Sequence, residues 1–432
     1  MNFYDSGKIS DLLKIHGYAL TDNIKETDLA VINTCHIREK ASEKLFSDLG
    51  RLNKIKKNKP LKIAVTGCVA QAEGSEIKSR APYVDLVVGP QAYHRLPEML
   101  RDLEDGKKSL PETEFLADEK FDNLPYSESY NSPSAFLTIQ EGCDKFCTFC
   151  VVPYTRGSEY SRPIYEIVNE AIEMVERGIK EITLLGQNVN SWHSNDINGK
   201  QRGLGFLISE LSKIKNLHRI RYTTSHPLDM DQELIEAHRD IPQLMPYLHL
   251  PIQSGSDKIL SAMNRRHSSS DYIKIVDSVR KICPDIALSG DFIVGFPNET
   301  DRDFQDTINL INEVKYSQSY SFNYSERPGT PASAMDFQVN DGVKKERLYK
   351  LQELLGLQQL EFNSKFLNKN ITVLIEKTKT KFGQVMGRSP WMQSVYMDTE
   401  VGKIGDIKTV KVTLAGKNSL TATKEEKIRR FI

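Results

Sequence analysis

Short apolar runs alternate with helical periodicities over most of the chain. Residues 28–34, 61–67 and 84–89 are β-branched apolar runs, and helical patterns at 37–52 and 73–80 lie between them. Strand–helix alternation with apolar strands predicts a doubly wound parallel sheet. From 106 to 134 the periodicity fades into a polar linker punctuated by Pro111, Pro125 and Pro133. Alternation then resumes in longer units, with strands expected at 135–139, 181–185, 219–223, 247–250, 286–293 and 318–323. A helix is expected at 163–177, opening on Pro163, a residue suited to the first turn. Six such βα units predict a full or partial parallel barrel with its chemistry at the carboxyl ends of the strands. A long amphipathic helix is expected at 343–367, and short strands at 371–376, 384–386, 394–397 and 409–414 predict a small β-barrel. The expected fold is therefore α/β. It divides into a sheet domain at 1–105, a linker at 106–134, a partial (β/α)6 barrel at 135–366 and a terminal β-barrel at 367–432.

Composition changes this picture little, and the cysteines change it most. A chain of 432 residues exceeds one ordinary core, and 39% apolar with 27% charged residues fits a folded protein. No apolar run approaches the ~18 residues of a membrane span, and the first residues do not read as a signal peptide. The expectation is a cytoplasmic protein without a membrane partner. The 58 basic and 58 acidic residues cancel, but residues 369–432 carry 13 Lys and Arg against 6 Asp and Glu, a net of +7. A basic module on a neutral body fits either a polyanionic partner such as RNA or a solvated surface. Six cysteines are too few for a disulfide scaffold, and three of them fall within eight residues.

Those three, Cys143, Cys147 and Cys150, form C-x3-C-x2-C directly after the first barrel strand. Three soft thiolates suit one face of an iron–sulfur cube and leave one iron open for catalysis. A structural zinc site would want a fourth ligand nearby, and no Cys or His follows until His193. Gly186, Gln187 and Asn188 close the second barrel strand, where a ligand can approach backbone and amides. Gln253 and Ser254 follow the fourth strand on the same rim. Cys35 and Cys68 end two strands of the first sheet, where parallel sheets place ligands. Arg156, Glu159 and Arg162 fit RNA contact or an ion-pair network equally, and Lys54, Lys56, Lys57, Lys59 and Lys62 read as a solvated face. His226 and His249 read as hydrogen-bonded structural groups and Cys283 as a core thiol.

The triad and its setting resemble the radical S-adenosylmethionine superfamily, and the remaining strings narrow the resemblance to its methylthiotransferases. They are NTCHIREK at 33–40, GCVAQ at 67–71, VVPYTRG at 151–157, LGQNVN at 185–190, TTSHP at 223–227, LHLPIQSG at 248–255 and DFIVGFP at 291–297. The resemblance covers nearly all of the chain. It implies an N-terminal methylthiotransferase domain, a radical barrel and a TRAM domain of a kind that binds tRNA. The triad would hold a 4Fe–4S cluster whose open iron binds the amino and carboxylate groups of S-adenosylmethionine, cleaved by one electron to a 5′-deoxyadenosyl radical. Gly186, Gln187 and Asn188 would hold the methionine amino group, Gln253 and Ser254 the ribose or carboxylate, and Ile293 and Gly295 would pack on adenine. Read from the residues alone, Arg265 and Arg266 fit pairing with a carboxylate or a solvent-facing position, with Arg265 the candidate of the two.

By the same resemblance Cys35 and Cys68 are two of three ligands of an auxiliary 4Fe–4S cluster carrying the sulfur to be inserted. In the family the first of these ligands lies in GCQMNxxDS, whereas this chain opens on Met1, Asn2, Phe3, Tyr4, Asp5 and Ser6. Two expectations stand: a start placed at an internal methionine, with that cysteine and the first strand upstream of it, or a chain that is short in itself, whose auxiliary cluster is defective or borrows a ligand, for which Cys283 is no obvious substitute. The residues after Cys35, His36 to Lys40, resemble members acting on N(6)-dimethylallyladenosine in tRNA. Other members act on threonylcarbamoyladenosine or on a ribosomal-protein aspartate. The resemblance further implies a flavodoxin- or ferredoxin-type electron donor and a monomer. The contrasting class is a non-catalytic iron–sulfur or zinc protein that binds RNA.

Overall fold

Alternate residues of the first three strands point to opposite faces, and each face has its own core. In this computed structural model, which describes residues 1–35, 39–107, 110–114, 120–121, 123–125, 132–379 and 383–424, β1 (Leu29–Asn33), β2 (Lys62–Thr66) and β3 (Leu86–Val88) form a parallel sheet in that order. Ile63 and Val65 pack with Leu45, Leu49 and Ile77, whereas Ala64, Leu86 and Val88 pack with Ile9, Leu13, Leu96 and Leu100. Helices α1 (Asn2–Ile15) and α4 (Leu96–Glu104) thus cover one face, and α2 (Glu39–Lys56) and α3 (Cys68–Arg80) the other. Neither α1 nor α4 is anticipated by the sequence pattern. In α1 two of the six buried positions, Asp5 and Lys8, are charged, which hides its apolar stripe.

All six expected strands of the central unit form. They are β4 (Ser134–Thr138), β5 (Glu181–Leu185), β6 (Arg219–Thr223), β7 (Tyr247–His249), β8 (Ala287–Val294) and β9 (Gln318–Asn323). Parallel ladders join β4, β5 and β6 and, separately, β7, β8 and β9, and a bridge between Ile220 and Leu244 connects the halves. The result is a partial barrel with β4 and β9 at its edges. Leu137, Ile182, Leu184, Ile220, Leu288 and Phe292 pack outward on the surrounding helices, through Ile167, Leu207, Leu234, Val276, Leu310 and Leu351. Two of these helices open with Ser268–Asp271 and Thr300–Asp303 capping boxes, which satisfy backbone donors at their first turns. Cys283 packs at the margin of this core.

A long helix, Asp341–Ser364, leads into a closed barrel of β10 (Asn370–Lys379), β11 (Gln384–Arg388), β12 (Ser394–Asp398), β13 (Ile407–Ala415) and β14 (Ser419–Lys424). The last strand is an addition to the four expected, because only Leu420 and Ala422 of its polar sequence turn inward. This unit docks on the amino ends of the central strands. Buried Arg221 donates to the carbonyls of Ser389 and Pro390 and pairs with Glu181 at 3.0 Å, and Arg219 donates to those of Arg388 and Thr372. Lys180 donates to Gly405 O, and Trp391 to Asp285 O.

Buried ion pairs bind the first domain to the barrel. Asp5 and Glu141 flank Arg156 at 2.5 and 3.2 Å, and Lys120, within the stretch read as a linker, reaches Glu141 at 2.6 Å. Glu170 bridges Lys8 and Arg162 at 2.8 and 2.9 Å. Arg156 and Arg162 therefore serve an ion-pair network. Lys56 pairs with Asp85, Lys62 with Glu104, and Lys59 donates to the carbonyls of Ile24 and Lys25, all within the first domain. Among the described residues no helix is long and apolar enough to cross a membrane.

Two expectations follow. Arg221→Ala leaves Glu181 only the more distant Arg219, at 3.6 Å, and removes the donor to the Ser389 and Pro390 carbonyls; it should cost roughly 2–3 kcal/mol, with the terminal barrel the first part lost in denaturant. Burial works to raise the pKa of Asp5 and of Glu170, but Arg156 and Lys120 on the first and Lys8 and Arg162 on the second outweigh it and hold both carboxyls below their ordinary range. Their contribution is complete above about pH 4 and is lost as pH falls through the depressed values. Melting temperature against pH should show that acid limb, and Glu170→Gln should flatten it.

Candidate functional site

The triad loop is closed at its base by a short antiparallel pairing of Gln140–Glu141 with Tyr160–Ser161. Gly142 then turns with φ +75°, and a Cβ there would lie 1.9 Å from Ser158 O, so glycine is required. Its N–H donates to Gln187 Oε1 and its carbonyl accepts from Gln140 Nε2, both at 2.7 Å. The segment after a short helix at Asp257–Ala262 is laced onto the loop. Thr148 N donates to Met263 O, Thr148 Oγ1 to Ala262 O, and Asn264 Nδ2 to the carbonyls of Lys145 and Phe146. Arg265 donates to Pro251 O and to Cys147 Sγ at 3.6 Å, and Val152 N donates to Cys150 Sγ at 3.4 Å.

All three thiols are half-buried. Burial raises Cys143 to about 11 and Cys150 to about 12, and neighbouring thiols add to both shifts. Without metal the two are held as thiols, and a bound cation would take the place of their protons. Among the described residues no three His, Cys, Asp or Glu side chains converge as ligands of a single ion. A lone zinc draws its sulfurs to about 2.3 Å from one point, whereas an iron–sulfur cube distributes three thiolates over three irons.

Beside the triad stand buried polar atoms with no hydrogen-bond partner among the described residues: Asn188 Oδ1, His226 Nε2 and Arg265 Nε. Asp229 accepts from Asn188 Nδ2 and from Lys145 Nζ, each at 2.7 Å, which turns the oxygen end of the Asn188 amide to the unpartnered side. An unmet acceptor together with unmet donors fits a zwitterion, whose ammonium donates and whose carboxylate accepts. The site thus fits the amino-acid end of S-adenosylmethionine beside a cluster held by the triad.

The structure brings Gly186, Gln187, Asn188 and Arg265 to the triad and sets the other candidates further along the rim. Gln253, at φ +80°, pairs its backbone with Asp291 and Ile293. The Ser254 hydroxyl is fully buried between Thr307 Oγ1 and Ser256 N. Ile293 is half-buried, and Gly295 donates to Glu299 and packs on the Lys344 stem. Lys145 and Asp229 escaped the sequence reading, and their only signal was polarity in loops at the barrel rim.

Cys35 and Cys68 lie at the carboxyl ends of β1 and β2. Thr34 N bonds Thr66 O and Val69 N bonds Thr34 O, drawing the strand ends together. Gly67, at φ +92°, permits this because a Cβ would lie 2.5 Å from Asn33 Oδ1. Helix α3, which begins at Cys68, packs on the short helix Val152–Arg156 that follows the triad. The residues His36, Ile37 and Arg38 lie outside the described residues, as do Lys427, Arg429 and Arg430 of the basic terminal segment.

Three family models match in series along the chain. One described as the Radical SAM superfamily matches 137–311, one described as Uncharacterized protein family UPF0004 matches 1–89, and one described as TRAM domain matches 365–424. The chain belongs to the radical S-adenosylmethionine methylthiotransferase family. Among solved structures it is similar to the radical S-adenosylmethionine methyltransferase TsrM of Kitasatospora setae, solved with cobalamin and a [4Fe-4S] cluster. That match has 13% identity and a TM-score of 0.59 over 76% of this chain and 74% of the other. It is also similar to the cobalamin-dependent radical enzyme OxsB, with 13% identity and a TM-score of 0.53 over 81% of this chain and 53% of that one. At such identity the likeness concerns the fold, and it agrees with the sheet domain and partial barrel of this methylthiotransferase.

Gly142→Ala adds about 1–2 kcal/mol of left-handed backbone strain to the clash with Ser158. Anaerobic reconstitution of that variant should bind a small fraction of the wild-type iron while the far-UV spectrum stays native.

Proposed function

We propose that this methylthiotransferase adds a methylthio group to C2 of N(6)-dimethylallyladenosine beside the tRNA anticodon, as a tRNA-2-methylthio-N(6)-dimethylallyladenosine synthase. The observation that carries this choice of substrate is the string at 33–40, where Cys35 is followed by residues resembling the dimethylallyl-specific members. The two cysteine sites also adjoin one charged core, since α3, which begins at Cys68, packs on the short helix ending at Arg156, and Arg156 bonds to Glu141 at the base of the triad loop.

A 4Fe–4S cluster with S-adenosylmethionine supplies one-electron radical chemistry when bound, and a second S-adenosylmethionine supplies the methyl group. Cys143, Cys147 and Cys150 hold that cluster in this reading. Gln187 fixes the loop through Gly142, and Asn188 offers Oδ1 to the cofactor's ammonium. Arg265 supports the cluster through Cys147. Cys35 and Cys68 contribute ligands to an auxiliary cluster carrying sulfur. The TRAM barrel, with its basic surplus, grips the tRNA, and electrons come from a flavodoxin- or ferredoxin-type donor.

Nucleoside analysis of tRNA from a strain lacking the gene decides the substrate. Loss of the 2-methylthio group from dimethylallyladenosine, restored by the gene, is expected. Unchanged 2-methylthio-dimethylallyladenosine, with loss of methylthio from threonylcarbamoyladenosine or a ribosomal protein, would replace the substrate and keep the chemistry. Cys68→Ala should still cleave S-adenosylmethionine but yield no methylthiolated tRNA, whereas Cys147→Ala should do neither.

A further inference from the structure

His226 is more than a structural histidine. We propose that it is a cofactor-binding residue of the radical site, donating its Nε2–H to the carboxylate of S-adenosylmethionine. The proposal rests on the reading that the triad site takes that cofactor.

The ring is fixed from two sides. Asn190 clamps the backbone reciprocally, with Nδ2 donating to His226 O at 2.9 Å and Oδ1 accepting from His226 N at 2.8 Å. Leu228 N then donates to His226 Nδ1 at 3.2 Å, which leaves the ring proton on Nε2. Burial, then the charges of Arg265 and Lys145 and the neighbouring His267, all favour the neutral imidazole. His226 is therefore a neutral donor with a set direction.

That donor has nothing to bond. The residue is 5% exposed and Nε2 has no partner among the described residues, and the same holds for Arg265 Nε in a residue also 5% exposed. Capping the turn at Pro227–Asp229 uses only Nδ1, a task that Asn or Ser performs equally well. The second nitrogen has no place in that account. Two unmet donors in a corner shared with Lys145 and Arg265 call for an anionic oxygen. The unmet acceptor Asn188 Oδ1, on the adjoining loop, calls for an ammonium. An α-amino acid presents both groups on one carbon.

Asn places an oxygen where Nδ1 stands and no donor at Nε2, whereas Gln places an amide N–H near Nε2. Equilibrium binding of S-adenosylmethionine to reconstituted full-length protein, at matched iron content, separates the two roles. H226N should bind about ten- to a hundredfold more weakly, the worth of a hydrogen bond to a charged group, and H226Q within a few-fold of wild type. Decarboxylated S-adenosylmethionine should bind wild type and H226N alike. Wild-type affinity in H226N, or an equal loss for the decarboxylated cofactor, would overturn the proposal. If H226N does not load iron, H226Q decides: retained preference for the carboxylated cofactor supports it, and lost preference refutes it. A wild-type chain that loads iron yet binds no S-adenosylmethionine would defeat the parent reading as well.

Discussion

Four charges sealed from water between α1 and the triad loop hold the structure's working parts together. Asp5, Arg156, Glu141 and Lys120 come from the first helix, the segment after the triad, the segment before it and the connecting stretch. Each buried charge costs several kcal/mol unless paired, so none is tolerable without the others. Glu141 stands two residues before Cys143 and Arg156 six after Cys150, so the cluster clasps both ends of the loop carrying the thiols. Helix α3, which begins at Cys68, also packs on the short helix that ends at Arg156. The placement of the triad loop relative to Cys35 and Cys68 is thus set by the same ions that join the domains.

What the sequence made legible follows from what periodicity measures. The barrel strands were legible because apolar residues such as Ile182, Leu184, Ile220 and Leu288 recur along them, although Glu181, Arg219 and Arg221 interrupt the pattern; the triad stood out because clustered thiols have few other uses. Helix α1 was not, since Asp5 and Lys8 face inward to partners more than a hundred residues away. Strand β14 was missed because a small barrel closes on Leu420 and Ala422 alone. Arg156 and Arg162 were ambiguous between RNA and ion pairs, a choice that burial alone decides. Lys120 sat in a stretch read as linker, and nothing in its neighbours announces that Glu141 waits for it. The polar shell was legible in residue type and not in orientation: only the contacts of Asn188 with Asp229 and of His226 with Leu228 tell which atoms are left over.

Those leftover atoms imply pre-organisation. Asp229 and Leu228 prevent either group from turning to a better partner. A ligand that fits finds its donors and acceptors already aimed, so little ordering cost is subtracted from its affinity.

The placement of the terminal barrel sharpens the substrate argument. Arg219 and Arg221 seat it on the amino ends of the central strands, whereas the triad stands at their carboxyl ends. A five-residue strand spans about 17 Å. Whatever β10–β14 grip must extend at least that far to present a reacting atom to the triad. A free nucleoside held by the terminal barrel could not reach, and a folded RNA can. If the barrel grips the substrate, its position selects a polymer, with the residue recognised and the residue modified well separated along it.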